Sequence, residues 1–331
     1  MSLKILVIKP SSFGDIVHLF PALALMRENM PEARLDFVVN PEFASLPDYS
    51  PFPVRRKIIF ERRKLASWRF LPELLALRRE LRKESYDIAV DFQGLFRSGF
   101  LLGLSKAKIK AGFSGARERS AEIFYNRKFA VSAGHAVERY GELAKKLFEL
   151  SGELKQPDLP LNEKAARELP ELPEKYVVLL PGTRWESKRF PPEFFDRICR
   201  RIKAELPEYS FVAAGSAGER EIAGNIGEYV QNFAGKTSLP GLFELLRNAS
   251  AVIGNDSGPL HAAAALKRDV YGFYGPTEPG LTGPWGNNCR FFFAECECAG
   301  CLKRLCPDGS YRCWNMDAEA IGDEVIKKLK G

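Results

Sequence analysis

Short, nearly continuous apolar runs recur along the chain, separated by longer segments in which apolar residues return every three or four positions. The runs at 5–8, 35–39, 57–60, 88–92 and 109–113 predict strands, and 16–29 and 72–83 predict helices between them. A run such as Ile88-Ala89-Val90 has no polar alternation, which suits a strand covered on both faces in a parallel sheet. After a Pro-, Glu- and Lys-rich stretch at 151–175, read as a short helix and a linker, the alternation restarts with strands predicted at 176–180, 211–214, 230–234, 251–254 and 270–274. Strand and helix alternate in both halves, so the pattern predicts an α/β protein with two doubly wound, Rossmann-like domains and a cleft between them. The expected division is 1–160, 161–315 and a C-terminal helix at 316–331 that packs on either half, including back on the first.

Length agrees, since 331 residues suit two domains of about 150. The hydrophobic share of 45% and charged share of 27% are those of a soluble globular chain. Met1-Ser2-Leu3-Lys4 leads straight into the first strand with no leader pattern, and no apolar run approaches the ~20 residues of a membrane span. The expectation is a cytoplasmic protein.

Charge alters the picture locally. The net charge is +7, yet between Arg55 and Lys83 eleven Lys and Arg face three Glu. Such a run is either a solvated helix face or a surface for an anionic partner. Seven cysteines are present, six of them between Cys289 and Cys313. The spacing Cys296-x-Cys298-x2-Cys301-x4-Cys306-x6-Cys313 holds only one C-x2-C pair, so free thiols are favoured over a structural zinc.

Candidate chemistry gathers where strands run into helices. Lys9-Pro10-Ser11-Ser12-Phe13-Gly14-Asp15 follows the first strand, and a helix N-terminus there favours an anion. Asp15 occupies the place a phosphate would take. It either caps the helix or, held ionised, takes a proton from a hydroxyl. In the second half, Asp256-Ser257-Gly258 opens a helix with Pro259 in its first turn and His261 one turn on, a better anion site because small residues lead. Thr183 and Lys188, after the strand at 176–180, are suited to a diphosphate. A third turn, Gly235-Lys236-Thr237-Ser238, resembles a phosphate loop only loosely. There is no G-x-S-x-G elbow and no H-E-x-x-H pair.

The stretch from Lys9 to His18, the Asp256-Ser257-Gly258-x2-His261-x-Ala263-Ala264-Ala265 helix start and the turn Phe273-Tyr274-Gly275-Pro276-Thr277-x-Pro279 together resemble the ADP-heptose:lipopolysaccharide heptosyltransferases of glycosyltransferase family 9. Asp91-Phe92-Gln93-Gly94-Leu95, Phe124-Tyr125-Asn126-Arg127-Lys128 and His135-Ala136-Val137-Glu138-Arg139 are most like the heptosyltransferase I branch. The resemblance implies a GT-B fold, inversion at the anomeric carbon, ADP-heptose as donor, Kdo-lipid A as acceptor, the inner-membrane surface as a partner, and neither a catalytic metal nor nucleic acid. It implies Asp15 and Lys188 as catalytic residues. Ser11, Ser12, Gly14, Thr183, Lys188, Asp256, Ser257, Gly258 and His261 would form the donor set, and Arg62, Arg63, Lys64, Arg117 and Arg119 the acceptor set. The cysteine-rich segment is not part of the heptosyltransferase I pattern. It leaves addition of the first or the second heptose open.

Overall fold

The computed structural model describes residues 2–65 and 70–331. The chain forms two compact units, Met1–Pro160 and Leu161–Gly331. In the first, β1 (Lys4–Ile8), β2 (Arg34–Val39), β3 (Val54–Ile59), β4 (Tyr86–Asp91), β5 (Ala107–Phe113) and β6 (Arg127–Phe129) make one sheet in the order β3-β2-β1-β4-β5-β6. All its pairings are parallel. In the second, β7 (Tyr176–Leu180), β8 (Ser210–Ala213), β9 (Val230–Asn232), β10 (Ala251–Asn255), β11 (Val270–Tyr274) and β12 (Cys289–Phe293) are ordered β12-β11-β10-β7-β8-β9, again all parallel.

The two sheets share one plan. Each starts at its centre, winds outward to one edge through three strands, then returns to pair its fourth strand with the first. Chain direction of winding therefore reverses between β1 and β4 and between β7 and β10. At such a switch point the two flanking connections leave the sheet in opposite directions, opening a crevice at the carboxyl ends of the strands. The central strands are sealed by helices on both faces, which is why Ile5, Leu6, Val7 and Ile8, and Val177, Val178 and Leu179, are fully buried.

Two expectations are corrected. β6 and β12, the sixth strand of each sheet, are absent from the sequence reading. β6 is a three-residue edge strand, Arg127-Lys128-Phe129, whose first two residues are exposed, so it lacks an apolar run. The helix predicted at 16–29 is two helices, Phe13–Val17 and Phe20–Asn29. Pro21 has no N–H to carry the hydrogen-bond ladder across and instead sits in the first turn of the second helix. The C-terminal helix, Ala318–Lys330, expected on either half, packs into the core of the second unit. Its Ala318, Ile321, Val325 and Ile326 join Ile198, Cys199 and Ile202 of the helix Pro192–Glu205 in one core. Gly322 permits the close approach, since a Cβ there would lie 2.8 Å from Arg201 Cγ. Among the described residues no helix is long and apolar enough to cross a membrane.

Candidate active site

In the first unit the residues after β1 converge on Asp15. Its carboxylate reaches back one turn, where Oδ2 accepts from the Ser12 backbone N–H at 3.0 Å and from Ser12 Oγ at 2.7 Å. Oδ1 faces the other way, accepting from Tyr140 Oη at 3.2 Å with Lys9 Nζ at 3.6 Å. Capping and a second task are thus compatible, one oxygen for each. The Asp15 side chain keeps about a third of its surface open, while Lys9 is only 1% exposed. Lys9 donates to Tyr140 Oη at 2.7 Å and to the Phe92 carbonyl at 3.3 Å.

Burial pushes the Asp15 carboxyl upward, but the Lys9 charge, the two Ser12 hydrogen bonds and His18 outweigh it and hold it well below the usual carboxylate range. Burial in turn lowers Lys9, opposed by Asp15 and by Asp91 at the end of β4. Burial and Asp15 together drive the Tyr140 phenol well above its ordinary value, so it stays a donor. Asp91 is fully buried and structural, accepting from Ser98 Oγ (2.8 Å), Tyr125 Oη (2.6 Å) and the N–H groups of Gln93 and Gly94. Lys9 and Tyr140 have no assigned role in the sequence reading. Lys9 is detectable as a cation closing an apolar strand. Tyr140, on the helix Ala136–Phe148, gives no signal because only the tertiary fold brings it to Asp15.

The second unit repeats the arrangement with opposite charge. Lys188, in the loop after β7, pairs with Asp256 after β10 at 2.6 Å and lies 4.4 Å from the centroid of the Trp185 ring. Thr277 Oγ1, from the loop after β11, donates to the same Asp256 oxygen at 2.6 Å. Thr183 Oγ1 donates to the Asp256 carbonyl at 3.1 Å, and His261 Nε2 stands 3.9 Å from Oδ1. Thr183, Lys188, Asp256 and His261 therefore form one cluster, joined by Thr277, which the sequence reading left without a role. Ser257 is the N-cap residue of the helix Gly258–Ala265, but its side chain makes no capping bond and its buried Oγ has no partner. The third turn behaves differently. Ser238 caps the helix Leu239–Arg247 by accepting from Gly241 N–H at 3.1 Å, so that terminus is already satisfied.

Buried side-chain polar atoms without a partner are costly and mark places where a ligand or water completes the structure. Among the described residues there are six: Asn40 Oδ1, Gln93 Oε1, Arg189 Nε, Asn255 Oδ1, Ser257 Oγ and Tyr274 Oη. All belong to the ends of, or loops following, β2, β4, β7, β10 and β11. Unmet polarity thus collects on the edge of each sheet that carries Asp15 or Lys188, as expected of a polar ligand's seat in an α/β fold.

The expected donor residues are divided between the units, with Ser11, Ser12 and Gly14 in the first and the rest in the second. Both Ser12 donors are already engaged by Asp15. In the expected acceptor set, Arg62, Arg63 and Lys64 are exposed on the short helix Arg62–Leu65, with Lys64 paired to Glu61 at 2.9 Å. Arg69, in the same basic run, lies outside the described residues. Arg117 and Arg119 are exposed after β5, and the charge of Arg117 is felt by both Lys9 and Tyr140. The cysteines are free thiols. Cys296 and Cys298 sulfurs are 3.5 Å apart, and burial together with Cys296, Cys298 and Cys301 pushes the Cys313 thiol up to about 11. Among the described residues no group of three or more His, Cys, Asp or Glu is placed to hold a metal ion.

The model of glycosyltransferase family 9 (heptosyltransferase) matches residues 74–312. Lipopolysaccharide heptosyltransferase 1 of Pseudomonas aeruginosa is 32% identical over 324 residues, covering 92% of this chain and 87% of the relative. The enzyme of that name from Escherichia coli K12 is 33% identical over 305 residues, covering 87% and 93%. In structure, the chain is similar to E. coli heptosyltransferase WaaC with ADP, at a TM-score of 0.83 and 29% identity over 98% of this chain and 100% of that one. The two Rossmann-type domains are those of the GT-B fold.

Proposed function

The chain belongs to glycosyltransferase family 9 (heptosyltransferase) and is a glycosyltransferase, and from that premise we propose that it moves L-glycero-D-manno-heptose from ADP-heptose to a Kdo residue of Kdo-lipid A, with inversion at the anomeric carbon. The observation that carries this reading is the 32–33% identity to lipopolysaccharide heptosyltransferase 1 along most of both chains.

In this reading each half has a role. An acceptor hydroxyl attacking the anomeric carbon must lose its proton as the new C–O bond forms. Asp15 is the receiver: Ser12 holds one carboxylate oxygen, while Lys9 and Tyr140 aim the other. Its low pKa makes it a weak base toward an unreacted alcohol. In the transition state that alcohol becomes strongly acidic, and the proton passes late. The departing ADP carries the charge that develops on the other side of the bond. Lys188 and Thr183, the unused Ser257 hydroxyl and the N–H groups opening the helix Gly258–Ala265 supply the compensating positive field, the task a metal performs in other transferases. Gly258 keeps that approach free of a side chain. Asp256 holds Lys188 until the diphosphate arrives. His261 borders the same cluster on the sugar side, and Arg62, Arg63, Lys64, Arg117 and Arg119 meet the anionic acceptor. The enzyme works on the cytoplasmic face of the inner membrane and needs no cofactor.

The test is a product assay with ADP-heptose against two acceptors, Kdo-lipid A and heptosyl-Kdo-lipid A. ADP release and a heptose-sized mass increase on the first acceptor alone is the expected result. Transfer to the second alone assigns the chain to the next addition. ADP-heptose binding without turnover on either rejects both acceptors and leaves a family 9 transferase with a different acceptor.

A further inference from the structure

The helix Phe70–Leu81 stands apart from the other long helices because only Leu81 of it is buried. Phe70, Leu71 and Leu75 are 47%, 61% and 50% exposed. At 100° per residue, Leu71, Leu75, Arg78 and Arg82 fall on one track, and the Arg82 N–H donates to the Arg78 carbonyl at 3.1 Å, which continues that track past the last turn. Two turns of this stripe are apolar and the next is basic. The acids Glu73 and Glu80 lie on the other side, where Glu80 pairs with Lys83 and its carbonyl accepts from Arg56 Nη2 at 3.2 Å, fastening the helix to β3. Arg62, Arg63, Arg78 and Arg79 have no ion pair among the described residues.

Leucines left in water are unfavourable, and here they adjoin arginines that make no ion pair among the described residues, so the surface is apolar and cationic at once. A soluble protein partner with an apolar face would account for the leucines but not for the concentration of positive charge. An anionic bilayer surface accounts for both: the leucines enter the boundary between headgroups and acyl chains while the guanidinium groups remain at the phosphates. We infer that the stripe Leu71, Leu75, Arg78 and Arg82 is a docking surface for an anionic phospholipid bilayer. This deepens the proposed reading, since an acceptor with lipid A embedded in the membrane must be met at its surface. The short helix that carries Arg62, Arg63 and Lys64 is in contact with this helix.

Binding to lipid alone separates this inference from the enzymatic one. Sedimentation with vesicles of phosphatidylethanolamine and phosphatidylglycerol should pull down the full-length protein, and vesicles of phosphatidylcholine should not. Leu71→Ser/Leu75→Ser should lower the partition coefficient about tenfold at unchanged salt dependence. Arg78→Gln/Arg82→Gln should lower it several-fold and flatten its fall with salt. Circular dichroism that matches the parent shows that both variants are folded, as expected for changes at exposed positions. Heptose transfer to a deacylated, water-soluble acceptor should be unaltered in the leucine variant. Parental binding by both variants, or equal binding of the parent to neutral and anionic vesicles, overturns the inference whatever the protein does with ADP-heptose.

Discussion

At the residue scale the telling feature is the opposite treatment of two carboxylates. Asp91 is fully buried with hydrogen-bond donors on both oxygens, and burial raises its pKa. Asp15 is partly open and is held ionised, chiefly by Lys9. A group whose native pKa is depressed favours the fold above its unfolded value of about 4 and loses that contribution as pH falls toward the native value. If Asp15 takes the acceptor's proton, the same depression sets the acid limb of turnover. Wild-type turnover should show no acid limb attributable to Asp15 at pH 4 and above. Lys9→Met removes the largest downward influence and leaves the burial, so the acid limb of kcat should move up in pH, while ADP affinity is unchanged. A pH–rate profile of the two proteins decides this. Asp15→Asn, close in shape but unable to accept the proton, should lower kcat about 10²- to 10⁴-fold. Near-wild-type turnover in Asp15→Asn would remove Asp15 from the chemistry.

At the element scale, strands and helices hold the site by close contacts that small residues permit. Gly112 of β5 lies under Tyr125, and a Cβ there would sit 2.3 Å from the ring whose hydroxyl binds Asp91. Gly112→Ala must push that ring away, and the expected cost is about 1–3 kcal/mol, read from the denaturant midpoint. The helix Gly258–Ala265 presents the reverse case. Its N-cap hydroxyl bonds to nothing in the protein, so Ser257→Ala should leave the melting temperature unchanged or slightly raised. If that hydroxyl serves the donor, the same variant should bind ADP about tenfold more weakly in titration calorimetry. A cap with only a structural purpose would give the opposite pair of results.

For the whole molecule, the second unit reaches its full core only when the last helix of the chain is in place. Ile321, 3% exposed, packs with Ile198 and Ile202 in the core that also holds Val177, Phe211 and Tyr271 of the second sheet. Ile321→Ala should cost about 2–5 kcal/mol by opening a cavity, and ADP binding should be lost at the temperature where the variant melts. The repeated strand order is the other molecular property. Two sheets wound alike place Asp15 and Lys188 at equivalent switch points of their own units, one presenting an anion and the other a cation.

Local pattern carried a large part of this in the sequence itself. Strands buried on both faces must be continuously apolar, so the central strands of both sheets were legible, as was the break between halves. Strand-to-helix turns with Asp15, Lys188 and Ser257 were legible too, because such turns gather small residues, caps and a charge in a short span. Tertiary structure alone decided the strand order, and with it the two switch points, because nothing local records which strand pairs with which. It also decided the edge strand β6, too short and too exposed to leave a pattern, and the docking of the last helix, whose apolar face fits any core. Only folding could bring Tyr140 to Asp15 and Thr277 to Asp256, since electrostatic partners 125 and 21 residues apart in the chain meet through packing rather than through spacing.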